Sequence, residues 1–260
     1  MAVPQIIVIA LLNSWDRPYH ALGVVALLIV QGFLMRRLLK DPKGQKALHQ
    51  LLGKTDVLLT SFRPSALTKL GLSWKTLHLQ FPKLSCVSVV GAPGSLAEIP
   101  GHDLTYQAEV ALVPGMALPS SLFADMGGAI MASEAILKAT ISQRATGKGS
   151  FHEVALSEAA AWLALPRHWG MTMPNGPVGG AHAGYKVYAC KNGRVAVAAL
   201  ESHFAKSLCD AAGLKSSDAK TMFNPETHQA IALFFASKTR QQLDKLATDK
   251  DIPLMTLVKT

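Results

Sequence analysis

The run Leu84-Ser85-Cys86-Val87-Ser88-Val89-Val90 leaves few choices of architecture. A strand with one wet face alternates apolar and polar residues, whereas this near-continuous apolar run suits a strand covered on both faces. A second short apolar run, Asp56 to Thr60, precedes it. Between the two, Pro64 to Leu70 and Trp74 to Phe81 read as short helices, with Gly71 and Pro82 as stops. Strand, helix and strand at this spacing imply a parallel pair joined by a right-handed crossover, so the expected fold class is α/β.

The remaining elements extend this pattern. Pro42 to Gly53 reads as a helix with Ala47, Leu48, Leu51 and Leu52 on one face and Gly53 as its cap. A long helix is expected over Asp125 to Arg144, with Ile130, Ala135, Ile136 and Ile141 on its apolar faces, stopped by Thr146-Gly147-Lys148-Gly149. Phe151 to Leu156 reads as a strand and Ser157 to Leu165 as a helix. Pro174 to Gly184 is rich in Gly and Pro and reads as a linker at a domain boundary. Beyond it, Tyr185 to Cys190 and Arg194 to Leu200 form a hairpin around Lys191-Asn192-Gly193. The last sixty residues read as helices near Phe204 to Ala212, Thr227 to Ala236 and Thr239 to Ala247. The expected organisation is an atypical apolar segment at 1–39, a large α/β domain at 40–180 and a smaller α+β domain at 181–260.

Composition narrows the function. With 49% hydrophobic and 17% charged residues, the chain can bury a sizeable core and is not a disordered polar one. Lys+Arg 26 against Asp+Glu 17 gives a net charge of +9. The cations are spread along the sequence apart from Arg36, Arg37 and Lys40, and no basic run interleaves with aromatics, so nucleic-acid binding finds little support. Most are ordinary solvated lysines, although a diffuse positive surface also steers a multiply phosphorylated anionic substrate. Cys86, Cys190 and Cys209 are far apart and show no metal-ligand spacing; neither a disulfide framework nor a structural zinc is expected, in keeping with a cytoplasmic protein. Ala21 to Met35 is apolar and precedes Arg36 and Arg37, but it is shorter than the roughly 20 residues a spanning helix needs. Nor does Met1 to Leu12 carry the basic start of a signal peptide; a buried helix or strand pair is expected and a membrane partner is not.

Several catalytic signatures are absent. Gly147-Lys148-Gly149-Ser150 is no P-loop, because Ser142 stands where the first glycine belongs and Gly149 separates Lys148 from Ser150. No GxSxG, HExxH or post-strand GxGxxG occurs. What stands out is the Gly/Pro-rich loop Gly91 to Gly101, at the carboxyl end of a strand where open α/β sheets place ligands. It leads into His102, Asp103, Leu104, Thr105 and Tyr106. His102, before a helix, can face a cleft and exchange protons near neutral pH. Asp125 falls at a helix start, with Gly127 and Gly128 one turn in, where missing side chains would let a ligand approach backbone N–H donors. Two proton-transfer groups of different type near free amides are what moving a proton α to a thioester carbonyl requires. Each residue also has a plain structural reading: Asp125 and Asp103 as helix caps, and His102 as a loop histidine bonded to a carbonyl.

From about Lys40 to Leu257 the chain resembles the class III CoA-transferase (CaiB/BaiF) family, which includes α-methylacyl-CoA racemases. The matching stretches are Lys40-Asp41-Pro42-Lys43-Gly44, Asp56-Val57-Leu58-Leu59 with Ser61-Phe62-Arg63-Pro64, Leu70-Gly71-Leu72, Gly101-His102-Asp103, Asp125-Met126-Gly127-Gly128, Thr146-Gly147-Lys148-Gly149 and Ala198-Ala199-Leu200-Glu201. The resemblance implies a Rossmann-like large domain, a smaller α+β domain and an interlocked homodimer. It implies that Asp125 is the catalytic aspartate, a nucleophile in transferases and an acid/base partner in racemases. His102 in its Gly-His-Asp setting is similar to the racemase branch, and Glu201 to a glutamate that supports the histidine. Arg63, Gly101, Asp103, Gly127 and Gly128 are implied at the substrate and CoA site. Acyl-CoA is then the substrate, with no metal and no further cofactor required.

The sequence also departs from the family. The usual opening strand, Gly/Pro turn and helix, with Leu-Ala-Asp-x-Gly-Ala-Asp-Val, have no counterpart in Met1 to Leu39, and the chain stops near Ile252-Pro253-Leu254, where the family continues into its large domain. The large domain is therefore expected to be incomplete, and an altered reading frame or start site is one explanation of the apolar N-terminus. The leading expected activity is racemisation of a 2-methylacyl-CoA at its α-carbon. The alternatives are CoA transfer to a carboxylic acid through an aspartyl intermediate, and a truncated, inactive remnant.

Overall fold

The structure is a computed structural model that describes residues 41–215, 218, 220–258. The expectations for 1–39 lie outside the described residues. The chain divides into two units, Met1–Ala164 and Leu165–Thr260, so the Gly/Pro-rich stretch Pro174 to Gly184 falls inside the second.

In the first unit, Asp41 caps α1 (Pro42–Leu52), its carboxylate accepting the Gly44 N–H at 3.4 Å, and proline at the first helical position supplies a preset φ. β1 (Val57–Thr60) follows, then α2 (Pro64–Lys69) and α3 (Trp74–Gln80), capped by Ser73. β2 (Ser85–Val90) is buried almost throughout because it is the middle strand of a parallel sheet, flanked by β1 and by β3 (Phe151–Ala155). Val57 lies opposite Ser85 on one side, and Val90 opposite Ala155 on the other. A 3-10 turn at Gly94–Glu98, α4 (Asp103–Glu109) and α5 (Phe123–Thr146) separate β2 from β3, and α6 (Leu156–Leu163) follows directly.

Two apolar clusters anchor these elements. Leu52, Leu67, Leu72, Leu77 and Leu84 tie α1, α2 and α3 together. Val57, Val87 and Val154 meet Ala132 and Ala135 of α5. The α5 face turned to the sheet carries the small Ala132 and Ala135, flanked by Met131 and Ile136, and Gly147 ends the helix in the left-handed region at φ 72°.

In the second unit a short α7 (Leu165–His168) precedes the hairpin β4 (Tyr185–Cys190) and β5 (Gly193–Ala198). The connection is one residue shorter than the Lys191-Asn192-Gly193 expected between the strands: Cys190 pairs with Gly193, leaving a two-residue loop, Lys191 and Asn192. A methyl group on Gly193 would overlap the Leu257 carbonyl of the neighbouring strand, which is why glycine stands there. Val195 and Val197 turn inward onto α8 (Ser202–Ala211), α9 (Pro225–Ala236) and α10 (Arg240–Lys250). Together with Leu208, Ile231, Phe235 and Leu243 they make the core of this unit. The last sixty residues are not all helical, because β6 (Leu254–Leu257) pairs antiparallel with β5. Among the described residues, no helix is long and apolar enough to cross a membrane.

Candidate active site

The loop after β2 is fastened to its surroundings at several points. Ser157 donates its N–H to the Gly91 carbonyl at 2.9 Å, and the Glu153 carboxylate accepts the Gly94 N–H at 2.9 Å. Glu98 accepts the Ser65 N–H at 2.7 Å and its hydroxyl at 2.8 Å, which pins the start of α2. Those two bonds, the backbone one first, hold the Glu98 carboxyl below its ordinary range, with smaller help from the charges of Arg63 and Lys69. Arg63 is exposed on the segment leaving β1, at the carboxyl end of the parallel sheet. At the far end of the loop the Tyr106 phenol fills the space that side chains on Gly91 and Gly101 would occupy.

His102 is the residue from which α4 starts. Its carbonyl accepts the Thr105 N–H at 2.8 Å and its N–H is donated to the Thr105 hydroxyl at 3.0 Å, leaving an exposed residue locked at the backbone. Asp103 faces the other way. It is 6% exposed, its Oδ2 accepts from Gln107 Nε2 at 2.5 Å, and its Oδ1 accepts the Asp125 backbone N–H at 3.1 Å. The carboxylate placed by resemblance at the substrate site therefore has both oxygens engaged inside the protein. It caps α5, a helix that begins twenty residues further along the chain, rather than its own.

Asp125 is the third residue of α5, because the helix starts at Phe123 with Leu122 as its N-cap, so the capping role open to Asp125 in the sequence is not the one it has. Its residue surface is exposed, in the acidic-favouring first turn of the helix. The Asp125 carboxyl is pushed above its ordinary range, by partial burial first and by the charge of Asp103 second, against a smaller opposite effect of His102. His102, Asp103 and Asp125 are thus brought into one electrostatic neighbourhood by the joined starts of α4 and α5.

Gly127 and Gly128 are buried, and the reason for them is packing. A methyl group on Gly128 would overlap Leu156 Cδ2, and one on Gly127 would sit 3.0 Å from Leu163 Cδ1 and 3.3 Å from Ala159 Cβ. They let α6 lie close against α5, and their amides belong to the helical ladder, not to a ligand cradle. The first-turn amides without a partner among the described residues are those of Phe123 and Ala124. Glu201 lies in the second unit, exposed at the N-cap of α8, where its carbonyl accepts the Ala205 N–H at 2.9 Å. Sequence reasoning missed Gln107, a fully buried amide, and Ser121, whose carbonyl accepts from Gln107 Nε2 at 3.0 Å. It also missed a groove of about 900 Å³ in the second unit, over Val187, Ala196 and Met255 on the open face of its sheet.

A glycine- and proline-rich loop at the carboxyl edge of a parallel sheet, with a His and an Asp at two joined helix starts, lies where open α/β folds place small-molecule ligands. The sequence profile of CoA-transferase family III matches residues 38–260, and the chain belongs to that family. It is 30% identical over 226 residues to the human alpha-methylacyl-CoA racemase, covering 78% of this chain and 59% of that protein. It is also 25% identical over 193 residues to the acetyl-CoA:oxalate CoA-transferase of Acetobacter aceti, covering 67% of this chain and 49% of that protein. Among solved structures it is similar to a hypothetical protein from Mycobacterium tuberculosis, with a TM-score of 0.73 at 20% identity, over 85% of this chain and 66% of that one. The chain thus spans about three-fifths of the length of the human racemase.

Proposed function

We propose that this chain moves a proton at the α-carbon of a 2-methylacyl-CoA, using His102 and Asp125 as acid/base partners. One observation carries the reading: an accessible carboxyl with raised proton affinity stands beside a histidine at the joined starts of α4 and α5. Neutral His102 takes the α-proton, the electron pair moves onto the thioester oxygen, and protonated Asp125 returns a proton to the opposite face of the carbon. The solvent then resets both groups. The positive end of α5 stands near the charge that develops on the oxygen.

CoA transfer is the second reading, favoured by the similarity to the acetyl-CoA:oxalate CoA-transferase. There the ionised Asp125 would attack the thioester carbon and expel CoA thiolate, forming an anhydride. A neighbour that raises the proton affinity of Asp125 works against that nucleophile, which supports proton transfer. The test is deuterium incorporation at the α-carbon in D₂O, compared with mass spectrometry of Asp125 after incubation with acyl-CoA and a carboxylate acceptor. Exchange with no adduct supports the first reading; an adduct with no exchange supports the second. The homodimer implied by the family resemblance is a separate proposal, measurable as the mass in solution by light scattering.

A further inference from the structure

We infer that Asp103 is the positioning residue for Asp125, fixing it through its backbone N–H and standing as a like charge beside it, with Gln107 holding Asp103 in place. The inference rests on the proton-transfer reading and adds a residue to it that does not touch substrate.

Three observations carry it. The first is the bonding. Gln107 Nε2 donates to Asp103 Oδ2 at 2.5 Å and to the Ser121 carbonyl at 3.0 Å, and Asp103 Oδ1 takes the Asp125 N–H at 3.1 Å. One buried pair thereby grips α5 on both sides of its start, where the N-cap Leu122 has no side chain that can do so. The second is the choice of a carboxylate. A neutral serine or asparagine at 122 would satisfy the same amide, yet the chain buries an acid. No Lys or Arg pairs with it among the described residues. Burying a carboxyl group is costly unless its oxygens are satisfied, and here Gln107 and the Asp125 N–H take both. The third is the Gln107 amide itself. Its Oε1 is buried with no hydrogen-bond partner. Turning the amide over would set that oxygen against two acceptors, Asp103 and Ser121, so the unmet Oε1 is the consequence of keeping the Asp103 carboxylate bonded.

The charge then acts on Asp125. Burial first and Asp103 second raise its proton affinity, and His102 opposes them. Of the other groups near it, Tyr106 on α4 titrates above its ordinary range, by burial first and then by the charges of Glu109 and Asp125. From α6, the apolar side chains of Leu156, Ala159 and Leu163 lie nearest the Gly127–Gly128 face of α5. Asp103 therefore adds, second to burial, to the raised proton affinity of Asp125, the direction that delivery of a proton to carbon requires.

The experiment follows the carboxyl carbon of Asp125 by NMR against pH in the ¹³C-aspartate-labelled full chain, assigned by its loss in Asp125→Asn. In Asp103→Asn, which keeps the shape and an oxygen for the Asp125 N–H but removes the charge, the Asp125 midpoint moves to lower pH. An unchanged or higher midpoint overturns the inference. With a 2-methylacyl-CoA, the same variant lowers kcat with KM little changed and moves the basic limb of the pH profile downward. A profile identical to wild type also overturns it. Should Asp103→Asn not fold, the wild-type chain decides. The Asp125 amide proton shifts in step with the Asp103 carboxyl carbon; if it follows only the Asp125 carboxyl, the inference fails. The titration needs no turnover, so absence of α-proton exchange would remove the proton-transfer reading while the role of Asp103 is judged on its own.

Discussion

Two glycines of one sequence motif, Gly147 and Gly149, are expected to respond very differently to alanine. Gly147 ends α5 at φ 72°, and nothing lies within 4 Å of the position a Cβ would take. Alanine there meets only the backbone penalty of the left-handed region, ~1–2 kcal/mol, offset in part by the smaller entropy of its unfolded chain, ~0.4–1 kcal/mol. Gly149 has no such freedom. Its Cβ would overlap the Leu84 carbonyl and come within 2.9 Å of the Ser85 nitrogen, all backbone that cannot rotate aside. Relieving that overlap costs ~1–3 kcal/mol as overpacking. It also strains the Gly149 N–H bond to the Pro82 carbonyl at 2.8 Å and the Ser150 N–H bond to Ser85 Oγ at 3.1 Å, each ~0.5–1.5 kcal/mol net. After the same entropic offset, Gly149→Ala costs about 3 kcal/mol, at the middle of a ~1–5 kcal/mol range, and Gly147→Ala about 1 kcal/mol, at the middle of a ~0–1.6 kcal/mol range. Urea unfolding followed by circular dichroism reads the difference directly. At ~2 kcal/mol per molar urea, the middle of the ~1–3 range, the Gly149→Ala midpoint falls by about 1.5 M and that of Gly147→Ala by about 0.5 M. Equal costs, or a costlier Gly147→Ala, would refute the assignment of one glycine to conformation and the other to close approach.

Further outcomes follow from buried titratable groups. His182 is 6% exposed, and its Nδ1 accepts the Gly184 N–H at 3.0 Å. Burial first, and His228 second, push its imidazole below the ordinary value. The unfolded chain therefore binds the proton more readily, so the stability contributed by neutral His182 is present above about pH 6.5 and is lost as the pH falls below it. Urea midpoints of the second unit at pH 7.5 and 5.5 check this; a His182→Gln variant should show a smaller difference. Thiol labelling should be ordered: burial pushes Cys86 up to about 11, and burial followed by the Asp210 charge raises Cys209, so Cys190 reacts first with iodoacetamide at pH 8. Mass spectrometry of early time points reads the order. Phe235, fully buried between β4 and the helices, should cost ~3–5 kcal/mol on replacement by alanine, read by thermal unfolding.

Much of the fold was legible because its signals are local. The covered strand Leu84 to Val90 lies at the centre of the parallel sheet, and the helices from Pro42, Pro64 and Trp74 start within a residue of their caps. What escaped depends on partners distant in sequence. β6 is four residues long, and only its pairing to β5 makes it a strand. Gly127 and Gly128 read as an opening for ligand, yet their partners, Leu156, Ala159 and Leu163, come from a helix about thirty residues further on. The candidate site was read in part. Gly101, His102 and Asp125 stand out by loop and helix signals, whereas nothing local marks Gln107, and the link from Asp103 to Asp125 spans twenty-two positions. Arg63 lies where a strand-end residue was expected, and Glu201 belongs to the second unit; its supporting role is open to Glu201→Gln in the exchange assay.

The most direct test is NMR of a 2-methylacyl-CoA incubated with the purified chain in D₂O, following the α-proton signal. The account predicts loss of that signal with wild type, and no loss with His102→Ala or Asp125→Asn. Exchange that persists undiminished in Asp125→Asn, or a covalent acyl or CoA adduct on Asp125 without any exchange, would contradict it.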